Sequence, residues 1–168
     1  MFRQIHENPD IYTVPVVLPN NPLKNLNCYI IKTPKENLVI DTGFNQPECL
    51  AALTEGLKEL EIDMDCSTLF LTHLHSDHTG LTNHIATPKT RILISDVDYN
   101  YLKTQHDENF WPWMEEKFYR EGLSRDLIEL QRTVNPARAY APEYLFDACT
   151  VSDRDTFQIG DYTLRCLW

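Results

Sequence analysis

The sequence predicts a mixed α/β domain, with strands and helices layered around a shared core. Three observations carry that expectation. Short β-branched and apolar runs open the chain, an amphipathic helix follows, and strand–loop–helix units then alternate to about residue 135. A length of 168 residues suits one domain. Hydrophobic and charged fractions of 42% and 24% are ordinary for a globular chain, which excludes a disordered tail or a fibrous repeat.

Residues 11–18 (IYTVPVVL) read as a strand, with Pro15 placing it at an edge or a bulge. Prolines and asparagines mark 19–27 as loop. Residues 28–31 and 38–40 are short apolar runs separated by Thr-Pro-Lys-Glu-Asn, the pattern of a hairpin, and Asp41-Thr42-Gly43 ends the second run at a turn. The next segment has helix start signals: Asn45 as N-cap, Pro47 in the first turn and Glu48 three residues after the cap. Leu50, Leu53, Leu57 and Leu60 form one apolar stripe there, while Glu55, Lys58, Glu59 and Glu61 face water.

Residues 68–72 (TLFLT) form a short buried strand, 81–86 a brief helix and 91–94 another strand, after which Ser95 or Asp96 caps a helix towards Lys103. Between 107 and 135 the apolar residues, Trp111, Trp113, Met114 and Phe118 among them, predict one or two amphipathic helices. Residues 144–145, 156–159 and 162–167 close the chain as strands, with a Gly160-Asp161 turn between the last two.

The formal net charge is −10, from 25 acidic and 15 basic residues, and no block of the chain is basic. Binding to a nucleic-acid backbone runs on Lys/Arg neutralisation of phosphate, so nucleic acid is not an expected partner, nor is an anionic membrane surface. Cys28, Cys49, Cys66, Cys149 and Cys166 are odd in number, widely spaced and without a C-x-x-C pair, so they read as buried free thiols of a reducing compartment. The N-terminal MFRQIHENPD has no apolar signal-peptide stretch, and no run approaches the roughly 18 apolar residues of a membrane span. A soluble, cytoplasmic protein is expected.

The chemistry concentrates in residues 72–80, THLHSDHTG, where His73, His75, Asp77 and His78 fall within six positions. Imidazole and carboxylate are ligands that suit zinc, iron and manganese. On a strand, His73 and His75 would point the same way because side chains alternate. Asp77 and His78, on the loop beyond, can turn to a second centre, so the spacing suggests two adjacent ions. His6 and His106 read as surface residues and His84 as part of the short helix after the motif; none is taken as a ligand.

This pattern resembles the metallo-β-lactamase fold hydrolases, whose H-x-H-x-D-H signature after a short strand is matched by His73, His75, Asp77 and His78. The segment Leu38-Val39-Ile40-Asp41-Thr42-Gly43 resembles the family's earlier strand, whose terminal Asp supports the ligands from behind. By that resemblance Asp41 hydrogen-bonds near the histidines and fixes their orientation; the plainer alternative is an Asp closing a turn before Gly43. The closing strands, with Phe157 to Asp161 and Leu164, look like the family's approach to its next motif.

The resemblance implies an αββα sandwich, of which this chain would hold roughly the first half, with residues 96–135 as a helical insertion. One domain over 1–168, incomplete at its C-terminus, is therefore expected, with an exposed sheet face that drives self-association. It also implies two divalent metal ions, most simply zinc, with iron or manganese as alternatives. His73 and His75 would hold the first and Asp77 and His78 the second.

Such a pair activates a hydroxide against an ester, thioester or lactone bond of a small molecule, with Asp77 placed to orient the nucleophile or carry its proton. The family's later ligands have no counterpart after residue 78, so weak or partial metal binding and an inactive chain are expected. The stretch around Trp111, Trp113 and Phe118 lies where relatives cover the substrate and is a candidate pocket wall, with an aromatic core as the alternative. Thioesters or lactones are preferred as substrates. The competing readings are an iron-dependent persulfide dioxygenase of the same fold and a non-catalytic interaction module; His75 disfavours the flavodiiron branch, which carries Glu there.

Overall fold

The protein is described by a computed structural model covering residues 2–167. Seven strands form one sheet in chain order: β1 (Arg3–Glu7), β2 (Asp10–Val17), β3 (Asn25–Lys32), β4 (Asn37–Ile40), β5 (Ser67–Phe70), β6 (Arg91–Ser95) and β7 (Cys149–Val151). The first four pair antiparallel through short connections. From β4 to β7 the pairing is parallel, as crossovers through helices require. These crossovers are α1 (Pro47–Glu59), the pair α2 (Ser76–Thr79) and α3 (Thr82–Ile85), and a longer helical stretch of α4 (Asp96–Gln105), α5 (Phe110–Arg120), α6 (Arg125–Val134) and α7 (Pro136–Ala139). A separate hairpin, β8 (Thr156–Ile159) and β9 (Tyr162–Arg165), turns at Gly160, whose φ of 56° suits glycine.

The two faces of the sheet are buried by different elements. Val14, Val16, Cys28, Ile30, Val39, Leu69 and Ile94 pack under the helices, against Leu53 and Leu57 of α1 and Leu102 of α4. Helix α1 lies so close to β2 that a Cβ on Gly56 would stand 2.4 Å from a Val14 methyl. On the opposite face Ile31, Leu38, Leu93 and Val151 meet Phe157, Ile159 and Leu164 of the closing hairpin and Cys166 just after it. Phe70 and Phe157 stack across this contact at 5.7 Å between centroids. The hairpin leaves the β1–β3 end of that face open, where Ile5, Val17 and Tyr29 are 43%, 38% and 38% exposed.

Several local expectations are corrected. Strand β1 is not anticipated by the hydrophobic pattern, because all five of its residues are exposed. Pro15 lies in a strand with neighbours on both sides, but β1 reaches only Thr13, so its missing N–H faces an open edge. Residues 144–145 are not a strand; β7 begins at Cys149 instead. The cap of α1 is Gln46, with no side-chain cap bond. Cys66 and Cys149 are exposed, one ending a 3₁₀ turn and the other beginning an edge strand, whereas Cys28, Cys49 and Cys166 are buried. Among the described residues no helix is long and apolar enough to cross a membrane.

The last helices are tied by one carboxylate. Glu115 of α5 accepts hydrogen bonds from Arg132 of α6 and Arg138 of α7, and the two guanidinium groups hold its pKa near 2 against a usual 4.5. A depressed carboxylate pKa contributes stability above the unfolded value, and that contribution is lost as pH falls through the folded one. Glu115→Gln is therefore expected to lower the unfolding temperature at pH 7. The difference from the parent should shrink as pH falls from 4.5 towards 2 in a calorimetric series.

Candidate metal centre

Strands β4, β5 and β6 run parallel in register, with Ile40 beside Phe70 and Phe70 beside Leu93, so their C-terminal ends open on one rim. Open α/β sheets present their ligand sites at such rims. Asp41 leaves β4 there with its N–H still bonded to Phe70 O at 3.0 Å. Its φ of 64° puts it in the left-handed region, which Asp tolerates better than most residues. Its side chain faces the segment leaving β5, which leaves the sheet at Leu71, earlier than the sequence pattern implies.

The Asp41 carboxylate is buried and is filled by donors from that segment and from the helix after it. Oδ1 accepts from Thr72 N at 2.8 Å and from Thr72 Oγ1 at 2.9 Å, and Oδ2 accepts from His78 Nδ1 at 2.8 Å. A carboxylate only accepts, so the His78 proton sits on Nδ1 and the Nε2 lone pair is free. The single Thr72 hydroxyl proton likewise goes to Asp41. That leaves the hydroxyl to accept from His73 Nδ1, 3.1 Å away, and frees Nε2 of His73 too. Thr72 is not among the residues singled out by the motif, although it directly precedes His73; the structure adds it.

The turn after Asp41 clamps the motif helix. Thr42 N and Oγ1 both bond His78 O at 2.9 Å, and Thr42 Oγ1 accepts from Leu81 N at 3.1 Å. Between these bonds a Cβ on Gly80 would fall 2.5 Å from Asn45 N and 2.6 Å from Gly43 O, both backbone atoms that cannot swing aside. Asn45 does not cap α1; its side chain joins His84 Nε2 at 2.9 Å and Ala141 O at 3.3 Å. His84 and His6 are exposed, and His106 bonds the carbonyl of Leu102 at the end of α4.

The motif residues meet although none lies on a strand. His73 and His75 rings are 4.6 Å apart, and His73 and His78 rings 4.0 Å. His75 precedes α2 without a side-chain cap bond, so its ring is not used to end the helix. Burial, with the neighbouring His78 and His75, lowers the His73 pKa and keeps that ring neutral. For His78, burial works against the charge, but the hydrogen bond and charge of Asp41 outweigh it and the pKa is raised.

One donor pair stands near the separation a single divalent ion would need. His78 Nε2 stands 3.6 Å from Asp77 Oδ2; two donors on one tetrahedral zinc, at bonds of about 2.0–2.1 Å, would be roughly 3.3 Å apart. Among the described residues no three His, Cys, Asp or Glu side chains gather so as to hold one ion. Of the expected pocket residues, Trp113 lines a surface depression with Phe110. Trp111 packs edge-on to Phe110 under the Arg138 guanidinium, and Phe118 is half-buried on α5.

Asp41 carries the heaviest local burden. Asp41→Ala strips the Thr72 N–H of its partner, which is expected to destabilise the fold by about 1–3 kcal/mol. Releasing the rings should weaken zinc binding about 10–100-fold. Asp41→Asn, which keeps the left-handed backbone and one acceptor, should recover much of the stability but little of the affinity. Thermal unfolding and zinc calorimetry on both variants separate the two roles.

The profile of the Metallo-beta-lactamase superfamily matches residues 22–144. A protein named atrochrysone carboxyl ACP thioesterase from Emericella nidulans is 45% identical over 64 residues, which are 38% of this chain and 20% of that protein. One of the same name from Passalora fulva is 30% identical over 114 residues, 63% of this chain and 32% of that one. Among solved structures, a metallo-β-lactamase family protein of Thermus thermophilus superposes with a TM-score of 0.70 at 24% identity, covering 94% of this chain and 51% of its own. A β-lactamase domain protein of Burkholderia ambifaria gives 0.67 at 15% identity, covering 96% and 47%. The chain thus spans about half the length of these solved relatives, with the same fold. The matched profile includes Asp41 and the whole H-x-H-x-D-H segment, and the chain belongs to the metallo-β-lactamase superfamily.

Proposed function

We propose that this chain carries the metal-binding motif of a hydrolase that cleaves acyl thioesters of small molecules, with zinc as the ion. The observation that carries the reading is the Asp41–His78 hydrogen bond, which turns Nε2 of His78 outward beside the Asp77 carboxylate. The two relatives named as thioesterases support the choice of bond.

Divalent ions, when bound, supply the Lewis acidity that lowers the pKa of water and polarises a carbonyl oxygen. The remaining tasks fall to the chain. His73 and His78 leave their Nε2 atoms for an ion because their Nδ1 atoms are engaged by Thr72 and Asp41. Asp77, half-buried beside His78, takes the proton of the attacking water. A thiolate with a pKa near 8.5 departs without a strong acid, so a site with one carboxylate beside the histidines suits a thioester better than an amide.

Each ion draws only two donors from this chain, so we further propose weak binding and no turnover without added metal. After dialysis against a chelator, elemental analysis should find fewer than two ions per chain; two firmly retained ions would contradict this. In excess zinc, hydrolysis of an S-acyl N-acetylcysteamine should fall to background in His75→Ala, an exposed site whose loss leaves the circular dichroism unchanged. Undiminished turnover in that variant would refute the assignment.

The open β1–β3 face is proposed as a surface for self-association. Light scattering should show a mass that rises with concentration, and a strict monomer would remove the proposal.

A further inference from the structure

Asp77 differs from its motif neighbours in how it is held. His73 and His78 are turned by Thr72 and Asp41, but the Asp77 carboxylate accepts no hydrogen bond among the described residues. Its neighbour is Nε2 of His78 at 3.6 Å, and only 17% of its side chain is exposed. Where Asp77 points is therefore set by the placement of α2 as a body. A helix of four residues does not hold itself, so that placement comes from what packs around it. Thr42 fixes its C-terminal end, and α7, another four-residue helix, packs against it.

Helix α7 is in turn fixed at both ends. At its start Asn135 ends α6 and caps α7, with Oδ1 accepting from Ala137 N at 3.1 Å. Just beyond its end, Asn45 N donates to Tyr140 O at 3.0 Å and Asn45 Nδ2 to Ala141 O at 3.3 Å. The Tyr140 ring meets the buried Phe44 ring at 5.1 Å between centroids. Phe44 and Asn45 belong to the turn whose Gly43 O and Asn45 N close around Gly80, so α7 and α2 share one support.

From α7 the Arg138 guanidinium donates to Glu115 Oε1 and lies 5.1 Å from the Trp111 ring centroid. Arg132 of α6 meets the same carboxylate as a fork, one bond to each oxygen, both at 2.8 Å. The Glu115 side chain is only 19% exposed, a setting in which such bonds count for more than on an open surface. The two arginines thus share one anchor but hold different elements. Arg132 fastens α6, and Arg138 fastens the helix that touches α2.

We propose that Arg138, seated on Glu115 and Trp111, is a positioning residue of the metal centre: it keeps α7 against α2 and thereby holds Asp77 beside Nε2 of His78. The inference rests on the motif being a metal site and is independent of the thioester reading. The test sets the two arginines against each other. Arg138→Ala and Arg132→Ala each cost Glu115 a partner, so both should lower the unfolding temperature. Only Arg138→Ala is expected to weaken zinc binding, about fivefold by calorimetry, and to alter the visible spectrum of bound cobalt(II). In the metal-free chain the amides of His78, Thr79 and Gly80 bond His75 O and Ser76 O within the α2 turn. They should exchange faster in Arg138→Ala and at the parent rate in Arg132→Ala. Arg138→Gln, which keeps a donor for Oε1, should show the same changes at smaller size and serves if the alanine variant does not fold.

Zinc affinity and α2 exchange that are the same in the Arg138 and Arg132 variants would overturn the proposal. Zinc binding by the parent that Arg138→Ala leaves unchanged would also refute it, with the metal reading intact. Selectively faster α2 exchange in Arg138→Ala, when the parent binds no zinc, would support the hold of Arg138 on α2 and count against the metal reading.

Discussion

The buried carboxylate of Asp41 is the interaction on which the rest of the site depends. A charged group so placed needs its lone pairs filled, and the donors within reach are the Thr72 backbone, the Thr72 hydroxyl and His78. Satisfying the carboxylate therefore sets the ring orientations as a by-product. Parallel pairing of β4 and β5 makes the meeting possible, because it ends both strands on the same rim with Asp41 still bonded to Phe70. An antiparallel partner would have put the motif loop at the far end of the sheet. The left-handed backbone at Asp41 turns the chain away from the strand direction while keeping its side chain on the motif loop.

The loop would still be free to drift without the second half of the clamp. Thr42 fastens the carbonyl of His78 twice and the N–H of Leu81 once, so the C-terminal end of α2 and the turn after it are held from the β4 side. A four-residue helix has little intrinsic stability. Its geometry is supplied by these bonds and by the close approach at Gly80, where only a hydrogen fits between three backbone atoms. The sequence Asp-Thr-Gly and the sequence T-H-L-H-S-D-H-T-G are thus two parts of one object, separated by some thirty residues of packing helix and strand.

Much of this is legible in the order of residues alone. The Leu stripe of α1, the hairpin of β3 and β4 and the four metal-competent side chains all follow from period and residue type. What escapes is set by tertiary context. Strand β1 has no buried residue, so no alternation marks it, and it exists because β2 offers it an edge. Asn45 has the chemistry of a cap but finds better partners in His84 and Ala141, which leaves Gln46 at the helix start. Strand alternation anticipates the meeting of His73 and His75, yet it arises in the loop beyond β5. Thr72 can be suspected only from its place before the motif, since its role lies in a partner thirty-one positions away. The outer face of α4 is hidden for the opposite reason: the exposed Val97 and Tyr101 have helical spacing, and spacing alone does not tell a core face from an open one.

The division between what is rigid and what is open follows from these contacts. His73 and His78 are oriented by hydrogen bonds made on folding, so an arriving ion does not have to order them, and that lowers the cost of binding through few donors. A net charge of −10 favours cations further by raising their local concentration. Against this, on the proposed assignment of two donors to each ion, half of a tetrahedral shell would be left to water, substrate or other groups. The chain therefore contributes orientation rather than enclosure. It fixes where the ring nitrogens of His73 and His78 point, through Thr72 and Asp41.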